Sequence, residues 1–188
     1  LEGYMGSVYA NIEGYHAAVC DAIAEQYLPS AAAGELPDSV PGAVLSVCDK
    51  IDNITGAFAI DEIPSGSRDP YGLRRASAGI VEINEKFEFD YSLIELLGFS
   101  LKLYQAQNAG INNVAEVVES AYGFICDRLQ NRMVEKGMPV EVLSAARQAG
   151  IPSTNRMIAL AGALDSFRTD SRFDDLHTAF FRSAKIAA

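Results

Sequence analysis

The residues that first suggest chemistry are serine and arginine side chains in and after a polar turn. The turn reads DEIPSGSRDP and leads into YGLRRASAGIVEI. Free backbone N–H groups at the start of a helix suit an anion, and Ser67 and Arg68 lie close to that start. Arg74 and Arg75 follow about one helical turn further on. The segment predicts a contact to a nucleic-acid backbone or, alternatively, a turn held by its own ion pairs with Asp69 as the helix cap.

A second group of cations lies on a segment predicted to form one long helix. Arg128 and Arg132 are one helical turn apart, and Lys136 extends the row. Such a row can bind RNA phosphates, or it can form a solvated helix face. The same two alternatives stay open for the other basic residues. These are Arg147, Arg156, Arg168, Arg172, Arg182 and Lys185.

Two carboxylates, Asp49 and Asp52, are also one helical turn apart. Such a pair can share a metal ion or a basic partner. A divalent metal needs several ligands, and the sequence holds only two histidines and no CxxC motif. We therefore predict no metal and no catalytic residue. We expect Asp49, Lys50 and Asp52 to cap loops or, with Glu62, to take part in ion pairs with Arg74 or Arg75.

The three cysteines, Cys20, Cys48 and Cys126, lie far apart on or beside apolar helical faces. Their odd number and their spacing fit no zinc site. We expect all three to be buried, reduced thiols, as is usual in a cytoplasmic protein.

Composition limits the classes of function. The chain has 15 Lys and Arg against 25 Asp and Glu, which gives a net charge of −10. Such an acidic body argues against general coating of nucleic acid, and against DNA as a partner, but it permits a local basic patch. No apolar run approaches the roughly 20 residues of a membrane span, so no membrane contact is expected. A chain of 188 residues can bury one good core or two small helical domains.

Helical periodicity accounts for nearly all of the chain and predicts an all-α fold. Two helices organise it. The first covers residues 40–60, with Val44, Val47 and Cys48 in its apolar stripe, and the second covers residues 71–87 beyond the turn. The other predicted helices cover residues 5–12, 15–27, 91–107, 113–136, 140–148, 156–167 and 174 to the end.

A family resemblance rests on these same segments. The run CDKIDNITGAFAIDEIPSGSRDPYGLRRASAGIVEI, from Cys48 to Ile83, resembles the signature of the β subunit of the bacterial two-subunit glycyl-tRNA synthetase. LEGYMGSVYA and AIAEQYLPSAAAGELP resemble two further pieces of that family. Cys48 stands where the family usually has Ala. The resemblance is dense over the first half of the chain and sparse after Lys86.

The resemblance implies the following expectations. The chain is an internal piece of a longer cytoplasmic enzyme that joins glycine to its tRNA with ATP and Mg, and the piece itself binds no cofactor. The α subunit carries the adenylate-forming site, the β subunit contacts glycine tRNA, and the assembly is α2β2. This piece then serves tRNA positioning and subunit assembly without an active site of its own. The candidate tRNA contacts are Ser67, Arg68, Arg74, Arg75, Arg128 and Arg132.

The segment VCDKIDN also resembles a helix of HD-type metal phosphohydrolases, in which the residue equivalent to Asp49 binds a metal. A working site of that type needs a His-Asp dipeptide, which this sequence lacks, and Gln26-Tyr27 stands where a histidine pair is expected. The resemblance implies the C-terminal part of an HD-like helical domain over residues 1–88, with a degenerate site at Asp49 and Asp52. A helical bundle over residues 89–188 leads into an anticodon-binding-type module.

Two alternatives stay open at this point. One is a surviving metal-dependent phosphohydrolase of the HD type. The other is an architectural domain that binds the α subunit and never touches RNA.

Overall fold

A computed structural model describes residues 2–31, 34–107, 110–111 and 113–187. Over these ranges the chain is helical, and an isolated bridge between Ser65 and Arg68 is the only β pairing. The predicted all-α fold is confirmed. The helices are α1 (Glu2–Ile12), α2 (Ala17–Glu25), α3 (Val40–Ala59), α4 (Leu73–Phe87), α5 (Leu93–Gln107), α6 (Val114–Glu135), α7 (Val140–Gln148), α8 (Thr154–Arg168) and α9 (Arg172–Ala187).

Helix α3 starts at a double cap. The hydroxyl of Ser39 accepts a hydrogen bond from the backbone N–H of Gly42 at 3.0 Å, as an N-cap serine should. The Glu25 carboxylate, at the end of α2, accepts from the Ser39 hydroxyl at 2.6 Å and from the Ser39 and Asp38 N–H groups at 3.2 and 3.3 Å. This carboxylate therefore joins the end of α2 to the start of α3.

The core is one continuous apolar cluster between α3, α4, α5 and α6, and it extends into α7 and α8. Full burial of one such aliphatic side chain contributes about 1.5–3 kcal/mol. The largest fully buried aliphatic side chains are Ile51, Ile54, Leu73, Ile80, Ile83, Leu93, Leu97, Leu101, Ile125 and Leu129.

Apolar residues are exposed towards both ends of the chain. In the second predicted helix, where periodicity places Val19, Ile23 and either Tyr27 or Ala22 inside, Ala22 is 8% exposed but Val19 is 43% exposed. In α9 the apolar residues Leu176, Phe180 and Ile186 are 59%, 70% and 87% exposed. Periodicity identified an apolar face in each case, but it could not say whether another element covers that face.

Helix α9 has a ladder of side chains along one of its own faces. The Phe173 ring meets the His177 ring at 6.1 Å, and His177 meets the Phe181 ring at 5.5 Å. The ammonium of Lys185 lies 5.7 Å from the centre of the Phe181 ring. At its start, Phe173 packs edge-on against Phe167 of α8 at 5.8 Å.

The prediction of three buried cysteines is wrong for Cys48, which is exposed, while Cys20 and Cys126 are 6% and 1% exposed. Partial burial of its thiol raises the pKa of Cys48 although the residue is exposed overall, and burial raises the pKa of Cys126 as well. We expect iodoacetamide at about pH 8 to modify Cys48 well before the other two, because access governs the difference. Timed peptide mass spectrometry measures the three rates. Equal rates at Cys48 and Cys126 would contradict the burial described here.

None of the described helices is long and apolar enough to cross a membrane.

Candidate functional site

A cavity of about 450 Å³, here called the arginine groove, lies between α4 and α6. Helix α4 contributes Arg74 and Arg75, and α6 contributes Arg128 and Arg132. Four of the six candidate contacts are thus brought together, although 53 positions separate Arg75 from Arg128 in the sequence. The other lining residues are Pro29, Ala31, Ala78, Gly79, Glu82, Asn131 and Glu135.

Two small residues of α4, Ala78 and Gly79, line the arginine groove and occupy little of its volume. A side chain at Gly79 would place its Cβ 2.9 Å from Cε of Lys50 and 3.0 Å from Cδ of Pro29. Glycine at this position therefore lets α4 lie directly against α3 and the loop after α2. Ala78, beside it, leaves the space between the arginines open.

Arg132 is already held by carboxylates. Its Nη1 donates to Oε1 of Glu82 at 2.7 Å, and its Nε donates to Oε2 of Glu85 at 3.1 Å. Lys136 also pairs with Glu85. Burial acts to raise the pKa of Glu85, but hydrogen bonds from Lys136 and Arg132 outweigh it and lower the pKa below its ordinary value. Much of the charge of Arg132 is therefore neutralised within the fold.

Arg128, Arg74 and Arg75 differ from Arg132, because no carboxylate in the described part of the chain lies within ion-pair distance of them. The guanidinium of Arg128 lies 5.9 Å from the centre of the Phe124 ring, and its buried Nε meets no hydrogen-bond acceptor among the described residues. A guanidinium group that forms no ion pair with a carboxylate can still bind an anion, because its N–H donors remain available.

The polar turn does not join the arginine groove. Asp69 accepts from the backbone N–H groups of Leu73 and Arg74 at 2.8 and 3.0 Å, so the expected cap closes the start of α4. Arg68 lies 3.5 Å from Glu62, and both side chains are well exposed. Ser67 is exposed as well. Neither Ser67 nor Arg68 lines the cavity.

Pairing of Asp49 or Asp52 with Arg74 or Arg75, one of the two expected alternatives, does not occur among the described residues. Asp52 instead accepts from the Tyr104 hydroxyl at 2.9 Å and from the Ser100 hydroxyl at 3.1 Å. Burial, followed by the hydrogen bond and charge of Asp52, raises the pKa of Tyr104 to about 12. Asp52 therefore ties α3 to α5.

Asp49 lines a second cavity of about 290 Å³, here called the lysine pocket, which shares Pro29 and Arg75 with the arginine groove. The Asn53 amide donates to the Asp49 carboxylate at 3.2 Å. Burial raises the pKa of Asp49, while Lys50 opposes that shift and Asp52 adds to it. The full lining is Tyr27, Pro29, Ser30, Asp49, Lys50, Asn53, Tyr71, Gly72, Arg75 and Ala76.

The lysine pocket does not fit a divalent metal. No group of three or more His, Cys, Asp and Glu side chains that could hold an ion occurs in the described ranges. The other charged residues that line this pocket are the cations Lys50 and Arg75, and the neutral amide of Asn53 donates to the Asp49 carboxylate. Cations beside a lone carboxylate repel a metal ion.

Sequence reasoning missed the burial of Lys50, whose residue surface is 5% exposed. Its ammonium donates to the Leu28 carbonyl at 2.8 Å and to the Ser46 hydroxyl at 2.7 Å. Burial lowers its pKa to about 8, against the effect of Asp49 and with a contribution from Arg75. The sequence does carry a signal for this burial, because position 50 lies at helical spacing from positions 43, 46, 54 and 57. All five residues are buried on one side of α3.

Comparison with known proteins identifies a family and several relatives. A family model described as "Glycyl-tRNA synthetase beta subunit" matches residues 1–148. The glycine–tRNA ligase beta subunit of Moorella thermoacetica is 35% identical over 188 residues, which are all of this chain and 27% of that protein. The same subunit of Geobacter sulfurreducens is 39% identical over 186 residues, 99% of this chain and 27% of that protein.

A third relative, the glycine–tRNA ligase beta subunit of Streptococcus gordonii, is 40% identical over 149 residues, 79% of this chain and 21% of that protein. The chain thus spans about a quarter of the length of these relatives. The family match covers most of its residues and includes α3, the polar turn, α4 and α6. This chain belongs to the glycyl-tRNA synthetase beta subunit family.

Proposed function

We propose that this chain is the tRNA-positioning part of a glycine–tRNA ligase β subunit, and that the arginine groove contacts the phosphate backbone of glycine tRNA. The whole enzyme would join glycine to its tRNA with ATP and Mg in the cytoplasm. The α subunit would carry the adenylate-forming site in an α2β2 assembly, and this part would contribute no catalytic residue. The observation that carries the proposal is the convergence of four arginines on one cavity of an otherwise acidic chain.

The charge balance of the arginine groove supports this reading. The chain as a whole has a net charge of −10, which repels a polyanion. Among the residues that line the groove, four arginines face two glutamates, Glu82 and Glu135. Guanidinium groups match phosphate oxygens in geometry as well as in charge. RNA would therefore approach this chain at the groove.

The ion pairs around each arginine distinguish the candidate contacts from one another. Arg74, Arg75 and Arg128 would make the phosphate contacts, because their charges are not neutralised by the described carboxylates. Arg132, held by Glu82 and Glu85, would mainly fix α6 against α4. Ser67 and Arg68 would lie beyond the groove, where they could meet RNA only as a separate contact.

We further propose the division into an HD-like domain over residues 1–88 and a bundle over residues 89–188 that leads into an anticodon-binding-type module. The ancestral metal site of the HD-like domain would be lost. The cations around Asp49 support this loss, because a positively charged pocket cannot retain a divalent ion. Metal analysis with a phosphatase assay tests this point, and stoichiometric metal with turnover would favour the hydrolase alternative instead.

The matched test compares two double variants that remove the same charge. Arg74→Ala with Arg128→Ala should weaken binding of glycine tRNA about tenfold or more and lower the salt slope by about two, since each arginine is expected to neutralise one phosphate. Filter binding between about 50 and 200 mM salt measures both quantities. The control is Arg147→Ala with Arg156→Ala, whose arginines pair with Asp127 and Asp90 at 2.6 Å.

Equal losses in the two double variants would assign the effect to net charge and contradict a specific groove. If the unaltered chain showed no salt-dependent affinity at all, the architectural alternative, in which this part binds only the α subunit, would replace the proposal.

A further inference from the structure

Lys50 is a buried cation that forms no ion pair with the described carboxylates, although Asp49 lies in the same pocket. In the ranges that the structure describes, no carboxylate oxygen lies within ion-pair distance of its ammonium. An ammonium has three N–H donors, and the Leu28 carbonyl and the Ser46 hydroxyl accept from two of them. Burying a charge is costly unless an opposite charge and hydrogen bonds compensate it. The fold therefore leaves one donor and most of one positive charge available.

A second cation lines the same cavity from α4. A side chain at Gly72 would place its Cβ 2.7 Å from Nη2 of Arg75, so this guanidinium lies over the start of α4. In the lysine pocket, Lys50 and Arg75 face a single carboxylate, that of Asp49. Two cations that repel each other across a cavity are stabilised by an anion between them.

The rest of the lining supplies neutral donors. The hydroxyls of Ser30 and Tyr71 and the amide of Asn53 all line the lysine pocket. A cavity of about 290 Å³ has room for a phosphate group and part of its ester. Phosphate carries three strong acceptor oxygens and nearly two negative charges, which matches two cations and several neutral donors better than a carboxylate does.

We propose that the lysine pocket binds the phosphate group of a phosphate monoester, with Lys50 and Arg75 as its charged donors. The inference does not depend on RNA binding in the arginine groove, because Lys50 does not line that groove. Since the two cavities share Arg75 and Pro29, the monoester could be a free small molecule or the terminal phosphate of a strand. The chemistry is the same, and the experiment separates the two sources.

Proton uptake provides a signature that a structural lysine would not give. The titratable groups that line the pocket with Lys50 are Asp49 of α3, Arg75 of α4, and the phenols of Tyr27 and Tyr71. Burial holds the pKa of Lys50 at about 8, against the effect of Asp49. A bound dianion would raise that pKa, so at about pH 8.5 binding should draw a fraction of a proton onto the protein.

The test is calorimetric titration of the 188-residue chain with phenyl phosphate, a monoester that is fully dianionic at about pH 8.5. Titrations in two buffers of different ionisation enthalpy report the protons taken up. Lys50→Met should weaken binding about tenfold or more. Lys102→Met removes an exposed lysine of α5 and should leave binding unchanged. Asp49→Asn, measured at about pH 7, should tighten binding about two- to fivefold.

Short RNAs with a 5′-phosphate or a 5′-hydroxyl form the second arm. If Lys50→Met loses affinity for phenyl phosphate, the proposal is supported and the source is a free ester. If Lys50→Met loses affinity only for the 5′-phosphorylated RNA, the proposal is supported and the source is the end of a strand. If Lys50→Met fails to fold, proton uptake and the Asp49→Asn effect decide. No proton uptake and no response to Asp49→Asn would overturn the proposal, whether or not RNA binds the arginine groove.

Discussion

Replacing Arg132 with methionine should lower the free energy of unfolding by about 2–3 kcal/mol at neutral pH. Methionine keeps much of the aliphatic packing but removes the guanidinium that joins α6 to Glu82 and Glu85 of α4. The Glu82 side chain is only 13% exposed, so its charge would be left partly buried and unpaired. Urea unfolding at neutral pH measures the difference.

The same variant has a predicted pH dependence. The pKa of Glu85 in the folded chain lies below its ordinary value of 4.5, because the bonds from Lys136 and Arg132 outweigh burial. A carboxyl group of this kind contributes stability above its unfolded pKa and loses it as pH falls through the folded pKa. The deficit of Arg132→Met should therefore shrink as pH falls below about 4.5.

The matched control for this prediction is Arg147→Met. Arg147 pairs with Asp127, whose side chain is 52% exposed, so this loss should cost less than about 1 kcal/mol. A deficit for Arg132→Met that is no larger than that of the control, or that persists unchanged at low pH, would show that the bridge between α6 and α4 contributes little.

Gly42→Ala should destabilise the chain by about 2–4 kcal/mol, although alanine is the better helix former by about 1 kcal/mol. The added Cβ would lie 1.9 Å from Oε2 of Glu25 and 2.8 Å from its Cβ. The Glu25 side chain must then move away, and the start of α3 loses the carboxylate that accepts from Ser39 and Asp38. The steric effect thus exceeds the gain in helix propensity.

Gly98→Ala in α5 provides the matched control, because an added Cβ there meets no heavy atom within 4 Å. This variant should be stabilised by about 0.5–1 kcal/mol, the ordinary gain from alanine inside a helix. Denaturant unfolding of the two variants beside the unaltered chain should give shifts of opposite sign. Shifts of the same sign would mean that Glu25 can relax without loss of the cap.

Local sequence signals predicted much of the fold. Pro41, with Ser39 or Asp38 ahead of it as cap, predicts the start of α3, and Ser39 is the N-cap found. Asp69 caps α4, as one of the two alternatives for the polar turn expects, and residues 140–148 form a helix as predicted. These features depend on a few neighbouring residues, which the sequence displays directly. The all-α class followed from the same helical periodicity.

Features that depend on contacts between distant segments were harder to predict. The spacing of Arg128 and Arg132 indicated one row of cations, but only the packing of α4 against α6 shows that Glu82 and Glu85 hold Arg132. Similarly, the exposure of Cys48 and the burial of Lys50 depend on which side of α3 meets α4 and the loop after α2. Charge and periodicity in the sequence identify the residues of interest, whereas the packing of the helices determines which residues they contact.

The aromatic ladder of α9 has a thermodynamic consequence. From Asp174 to Ile186 every side chain of this helix is exposed, so its order comes from contacts between residues one turn apart and not from the core. An isolated helix of 16 residues is only marginally stable in water. On warming, α9 should therefore unwind gradually, from its far end inward, while the remaining helices melt together in a separate, sharper transition.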